Sequence, residues 1–278
     1  MLFRRFLALV LIAVLLCPAD ASAWHRSRRA KASSWHGLTA MSALLLNASN
    51  NHYYFAKDID RQIYPASTTK VMTVILALEH LSLDEYVTVS ARAVQVPPTK
   101  LDLRPGEQYR VRDLIYAALL KSANDAANVL AEAVAGSQSQ FVVLMNQKAA
   151  QIGVRHTRFA NAHGLPSEGT QYSTARDMAM ILKEALKNPF FKSAITFKYR
   201  IIYSKEGRRH FLKSHNKSLF MDWKMNVYGK TGYTQEAQSC FVGYYLKNKD
   251  TYVVAVFGSH KRWEETKRIV ERYGKTDL

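Results

Sequence analysis

At 278 residues, with 39 Lys plus Arg against 22 Asp plus Glu, 48% hydrophobic residues, 12 Gly and 7 Pro, the chain has a globular composition and a formal charge of +17. Disorder, a collagen-like repeat and a disulfide scaffold are excluded, the last because the chain has only two Cys. A chain of this length can bury a full core, as one domain of about 250 residues or as two smaller ones.

The first element is a targeting segment. Met1 to Arg5 is short and basic, Phe6 to Cys17 is an unbroken apolar run of 12 residues, and Ala21-Ser22-Ala23 is a small-x-small cleavage site. We read residues 1–23 as a secretory signal peptide. Twelve apolar residues make about 18 Å of helix, too short for a hydrocarbon core about 30 Å thick, so no stable membrane anchor is expected. Cleavage after Ala23 leaves Cys240 as the one thiol, which cannot form an internal disulfide. Residues 24–36 form a basic leader with Arg26, Arg28, Arg29 and Lys31 and no apolar periodicity, and the domain proper occupies 37–278. For an exported chain, the basic surface points to an anionic envelope polymer rather than to nucleic acid, the alternative being a solvated surface with no specific partner.

Ala43-Leu44-Leu45-Leu46 and Tyr53-Tyr54-Phe55-Ala56, separated by the Asn-rich stretch Asn47 to His52, predict a hairpin. Cys240 to Leu246 and Tyr252 to Phe257 predict a second one, and Lys261 to Tyr273 a terminal helix. Between them, Ser67 to Leu81, Val111 to Ala135, Ser139 to Ile152 and Thr174 to Leu186 repeat apolar residues at three- and four-residue spacing, which predicts helices. Pro97-Pro98 and Arg104-Pro105-Gly106-Glu107 mark loops. The expected fold is α/β of the α+β kind: one antiparallel sheet built from both chain ends, flanked by helices, with a mostly helical insertion.

Several site types are absent from the sequence. There is no Gly-x-Ser-x-Gly, His-Glu-x-x-His or Cys-x-x-Cys, and the Gly-Lys-Thr triplets at Gly229 and Gly274 have Lys224 and Ile269 where a phosphate loop needs its first Gly. What remains is Ser67-Thr68-Thr69-Lys70, Ser122-Ala123-Asn124 and Lys230-Thr231-Gly232. Ser-x-x-Lys recurs at Ser214 to Lys217, and Ser-x-Asn at Ser49 and Ser214, so context must choose between the copies. Pro65 suits a first helical turn, and Val71, Ile75 and Leu78 continue the helix, which places Ser67 at its start with a free backbone N–H. Lys70, three residues on, shares that face.

A serine hydroxyl becomes a nucleophile when a base takes its proton, and a neutral lysine amine can be that base. An ordinary Lys is neutral only about once in 2,500 molecules at pH 7. Desolvation and a second cation, for which Lys230 is suited, would increase that fraction. Free N–H groups at the helix start and on the strand of Lys230-Thr231-Gly232 can form an oxyanion hole, and Gly232 lets a substrate backbone approach that strand.

With separations of 55 and then 108 residues, the three motifs resemble those of the penicilloyl-serine transferases. The longer strings Pro65 to Lys70, Ser122 to Ala127, His156-Thr157 with Phe159, Asn161 and His163-Gly164-Leu165, Ser173 to Asp177, and Lys230 to Thr234 with Cys240 resemble the low-molecular-weight penicillin-binding proteins. These are serine D-alanyl-D-alanine carboxypeptidases with a β-lactamase/transpeptidase-like fold, and the resemblance runs from about Leu38 to the C-terminus.

The resemblance implies that Ser67 is acylated with Lys70 as its base. Ser122 and Asn124 would relay a proton and hold the substrate amide. Lys230 and Thr231 would bind the terminal carboxylate of D-Ala-D-Ala, Gly232 would lie in the substrate-binding strand, and Ser67 and Tyr233 would supply the oxyanion N–H groups. Peptidoglycan stem peptides are the implied substrate and β-lactams the covalent inhibitors. His156 and His163 have no third ligand beside them, so neither a metal nor another cofactor is expected.

The sequence departs from the family in two places. Many members continue into a β-rich domain and an amphipathic helix, whereas this chain ends about 20 residues after its last predicted strand, which predicts a soluble single-domain enzyme of the periplasm or extracellular space. Ala237-Gln238-Ser239 stands where relatives usually have Ala-Gly before the Cys. Alternative readings are a D,D-endopeptidase that cuts cross-links, a class A-like β-lactamase, and a non-catalytic wall-binding protein. His156 to Gly164 lacks the Glu that a class A deacylating loop requires, and Glu168 lies beyond it without the pattern.

Overall fold

The computed structural model describes residues 37–166 and 170–278. The expected signal peptide, the basic leader and Glu168 lie outside the described residues.

Both terminal hairpins form. Strands β1 (Ser42–Asn47) and β2 (His52–Lys57) pair antiparallel, as do β8 (Gln238–Lys247) and β9 (Asp250–Ser259). Asn248 and Lys249, both at positive φ, connect the second pair by a two-residue turn whose twist suits the strands. Pairing of β1 with β9 joins the chain ends, and the sheet order is β2-β1-β9-β8-β7, with β7 (Tyr228–Thr234) at one edge.

The central strands are continuous apolar runs because both faces of the sheet are covered. Leu44, Leu46, Val253, Ala255 and Phe257 join the main helical core. On the opposite face, Leu45, Tyr245 and Phe241 meet the terminal helix α7 (Arg262–Gly274) at Gly274 and Trp263. Glu265 of α7 accepts from the backbone N–H groups of Thr39 and Ala40 and from Ser259 Oγ, tying the two ends of the domain together.

Helix α1 (Lys70–His80) follows a 3-10 turn, Ala66–Thr69, and is buried along most of its length. A small pair, β3 (Tyr86–Thr88) and β4 (Gln108–Arg110), precedes α2 (Val111–Tyr116). The apolar run from Val111 to Ala135 is not one helix, as its periodicity suggested. After α2 comes a π turn, Ala117–Lys121, and then Ser122 at φ 61°, before α3 (Asn124–Ala135) begins. The backbone leaves the helical path because Ala123 N–H bonds to Ala117 O and Asn124 N–H to Thr99 O.

Helices α4 (Gln138–Ile152) and α5 (Ala175–Ala185) lie where the periodicity placed them, capped by Ser137 and Thr174. A short α6 (Pro189–Ala194) and a hairpin of β5 (Tyr199–Tyr203) with β6 (Arg209–Lys213) complete the insertion. Among the described residues, no helix is long and apolar enough to cross a membrane.

Candidate active site

Ser67 is held in the tight turn after Pro65, where Thr68 bonds back to Pro65 O through its N–H at 3.2 Å and its hydroxyl at 2.6 Å. One turn later, Lys70 opens α1 and donates to Ser67 Oγ at 3.0 Å. Its other acceptors are Asn124 Oδ1 at 2.7 Å and His163 O at 2.9 Å. Lys70 is completely buried and none of these partners is a carboxylate. Burial pushes its pKa well below the ordinary lysine range, Lys230 lowers it further, and Asp125 opposes weakly.

This geometry suits a neutral amine. With Lys70 neutral, its two N–H groups stay on the oxygens of Asn124 and His163, and its lone pair accepts from the Ser67 hydroxyl in place of the donation to it.

The αL turn at Ser122 points its hydroxyl at β7, where Lys230 Nζ donates to it at 2.8 Å and to Thr231 O at 2.9 Å. Lys230 is also fully buried, and its pKa is lowered to about 7, first by burial and then by the charge of Arg262. The two motifs 108 residues apart in sequence thus become one hydrogen-bonded pair.

Strand β7 runs past the nucleophile with little room for a side chain at Gly232. A Cβ there would lie 3.0 Å from Ser67 N and from Ala66 Cβ. Gly164, at φ +86°, is packed more tightly still: a Cβ would lie 1.9 Å from Ala66 O. This close fit holds the His163 carbonyl against Lys70.

Ser67, Ser122, Thr231, Gly232 and Tyr233 open together onto a cleft of 790 Å³. Asn124, expected to touch substrate, is only 1% exposed and does not line the cleft; its Nδ2 donates to Pro97 O at 2.9 Å while its oxygen takes Lys70. Ser214, the competing serine, lines the cleft wall, but its Oγ accepts from Asn216 N–H and no lysine donates to it in the described hydrogen bonds.

His156 and Asn161 lie outside the cleft wall. His156 N–H donates to Asp177, and Asn161 braces the loop through His163 N–H, Gly164 N–H and Leu165 O. Among the described residues, no three His, Cys, Asp or Glu side chains gather as a metal-binding group.

The motifs did not reveal the rest of the wall. Arg262, at the start of α7, lines the cleft and donates to Gly232 O at 3.0 Å and Cys240 O at 2.9 Å. Lys121, Lys213 and Lys217 add further cations, and among the described residues no carboxylate side chain lines the cleft. His215, also in the wall, has its pKa driven down to about 4 by burial and by Lys230, Lys121, Lys70 and Arg262. The Ser-x-x-Lys at Ser214 to Lys217 did mark this segment, though for another reason.

Residues 29–261 match the family model of the D-alanyl-D-alanine carboxypeptidases. The D-alanyl-D-alanine carboxypeptidase DacF of Bacillus subtilis is 30% identical over 274 residues, which is 96% of this chain and 69% of that protein. The D-alanyl-D-alanine carboxypeptidase DacC of Escherichia coli is 34% identical over 211 residues, 71% of this chain and 51% of that one. The chain thus spans between half and seven tenths of the length of these two relatives. Among solved structures, a D-alanyl-D-alanine carboxypeptidase from Mycobacterium tuberculosis aligns at TM-score 0.79 and 28% identity, covering 85% of this chain and 91% of its own. A mutant of a Streptomyces DD-transpeptidase aligns at TM-score 0.78 and 27% identity, covering 86% and 98%.

Proposed function

The chain belongs to the D-alanyl-D-alanine carboxypeptidase family of serine peptidases, and from that premise we propose that it removes the terminal D-Ala of peptidoglycan stem peptides through an acyl-enzyme on Ser67. The observation that carries this reading is Lys70: a buried amine on Ser67 Oγ whose other acceptors are an amide oxygen and a backbone carbonyl.

In this reading, neutral Lys70 takes the Ser67 proton as Oγ attacks the carbonyl of the penultimate D-Ala. The oxyanion is received by the backbone N–H groups of Ser67 and Tyr233. The proton taken by Lys70 is passed by way of the Ser122 hydroxyl to the departing amine, D-Ala leaves, and water then attacks the ester while Lys70 takes one of its protons and returns it to Ser67 Oγ. Lys230 and Thr231, beside Arg262, bind the substrate's terminal carboxylate, whose arrival favours the charged form of Lys230. Asn124 positions Lys70 through its oxygen. A penicillin presents a carbonyl and a carboxylate at a similar spacing and acylates the same serine.

We place the enzyme outside the cytoplasm, with residues 1–23 removed so that it begins at Trp24, and with its basic surface towards anionic envelope polymer. A second reading, endopeptidase cleavage of D,D-cross-links, draws on one observation: the wall continues beyond Thr231, behind which Lys230 is buried, to Lys121, Lys213 and Lys217, which leaves space and positive charge for a larger anionic leaving group. Incubation with pentapeptide monomers and with cross-linked dimers decides between them. Release of D-Ala from monomers is expected; dimer cleavage without that release would reverse the order.

A further inference from the structure

The β5–β6 hairpin has an unusual outer face. Its register places Tyr199 opposite Lys213, Ile201 opposite Phe211 and Tyr203 opposite Arg209, and all six are exposed. The inner residues Ile202 and Leu212 already supply the core contact. A two-stranded ribbon with one buried face would ordinarily present polar side chains on the other. Here Phe211 is 55% and Tyr203 51% exposed.

The patch is ordered. Tyr199 and Phe211 stack at 5.6 Å with planes 21° apart, Phe220 meets Tyr199 at 5.4 Å, and the Lys213 ammonium lies 5.2 Å from the Phe220 ring centre. Positive charge surrounds it: Lys198 to Phe220 holds seven Lys and Arg against one acid, Glu206. It is also continuous with the cleft, since Lys213 and Phe220 belong to both.

We propose that this aromatic and cationic face is a docking surface for the sugar chain of peptidoglycan, holding the polymer beside the cleft while a stem peptide is processed. Pyranose rings carry C–H faces that lie flat on exposed aromatic rings, and carboxylates on the polymer complement the lysines and arginines. A five-residue stem reaches at most about 17 Å, so the sugar chain bearing a stem whose end lies at Ser67 passes close to the cleft rim, and this hairpin forms part of that rim. The proposal rests on reading the cleft as a stem-peptide site.

The test compares the wild-type protein with a Tyr203→Ser, Phe211→Ser double variant, neither residue lining the cleft. Release of D-Ala from a short soluble pentapeptide reports on the active site, and sedimentation with purified insoluble peptidoglycan, which needs no turnover, reports on the patch. We expect the variant's kcat/KM on the soluble peptide to stay within twofold, and half-saturating binding to insoluble peptidoglycan to require at least tenfold more polymer. A wild-type protein inactive on the soluble peptide would count against the carboxypeptidase reading and leave the sedimentation result to be judged by itself. Unchanged sedimentation of the variant overturns the docking surface. So does patch-dependent binding to phosphatidylglycerol vesicles without binding to peptidoglycan, or a wild-type dimer that the variant abolishes.

Discussion

Lys70 Nζ lies 3.0 Å from Ser67 Oγ, and among the described residues no carboxylate is a hydrogen-bond partner of it. In the many active sites where a buried cation is neutralised by an acid, the acid holds its proton on. Here burial and Lys230 both lower the pKa of Lys70, against a smaller opposing effect of Asp125.

A difference in pH dependence follows between two substrate types. Acylation by an activated ester without a carboxylate should fall at low pH as Lys70 becomes protonated, and stay level on the alkaline side. A peptide ending in a free carboxylate needs charged Lys230, whose pKa is about 7, so its kcat/KM should also decline as pH rises through and above neutrality. Parallel pH–rate profiles measured to pH 9 check this. Identical alkaline limbs would remove Lys230 from carboxylate recognition.

A penicillin should add to Ser67 and to no other serine. Ser214 shares the cleft wall and heads its own Ser-x-x-Lys, but its hydroxyl has no lysine partner among the described hydrogen bonds. Ser67→Ala should keep its fold and lose ~10⁴-fold or more of activity, as expected of a nucleophile in a coupled unit. Peptide mapping of the acyl adduct by mass spectrometry settles the position, and an adduct on the Ser214 peptide would contradict it.

The parts of the site readable in the sequence are those set by local geometry. Ser67 and Lys70 are three residues apart, so a helical turn brings them together whatever the rest of the chain does. The other acceptors of Lys70 come from 54 and 93 residues away, and one of them is a backbone carbonyl that leaves no mark on residue type. Arg262 reaches the cleft only because α7 begins beside Gly232 and Cys240, which sheet pairing determines. The terminal hairpins were legible from their apolar runs, and the break at Ser122 was not, since helical spacing continues on both sides of it. The β5–β6 hairpin escaped notice because aromatic residues occupy its outer face, so polar and apolar positions do not alternate.

Gly164→Ala should be far more damaging than Gly153→Ala, although both glycines have φ +86°. Backbone strain is common to the two, but a Cβ at Gly153 enters open space while one at Gly164 collides with Ala66 O. The Gly164 change should cost about 2 kcal/mol or more, lowering Tm by about 4 °C or more at this chain size. It should also slow penicillin acylation, because relieving the clash moves the His163 carbonyl off Lys70. Thermal melts of both variants provide the comparison, and equal losses would show that the close approach is unimportant.

Lys230→Ala separates binding from base chemistry. Lys230 is buried beside Thr231 and Ser122 on the side of the cleft to which Arg262 adds positive charge, and a charge-assisted bond to a carboxylate in such a desolvated place is worth a few kcal/mol. The variant should therefore lose ~10² to 10³-fold in kcat/KM on peptides ending in a free carboxylate. Small activated esters, which carry no carboxylate and whose leaving group needs little protonation, should keep measurable acylation. Removing this cation also relieves the charge that depresses the pKa of Lys70, so the low-pH limb of ester acylation should move to higher pH. Steady-state kinetics on the two substrate types test both effects. Equal losses on ester and peptide would instead place Lys230 in the machinery that deprotonates Ser67.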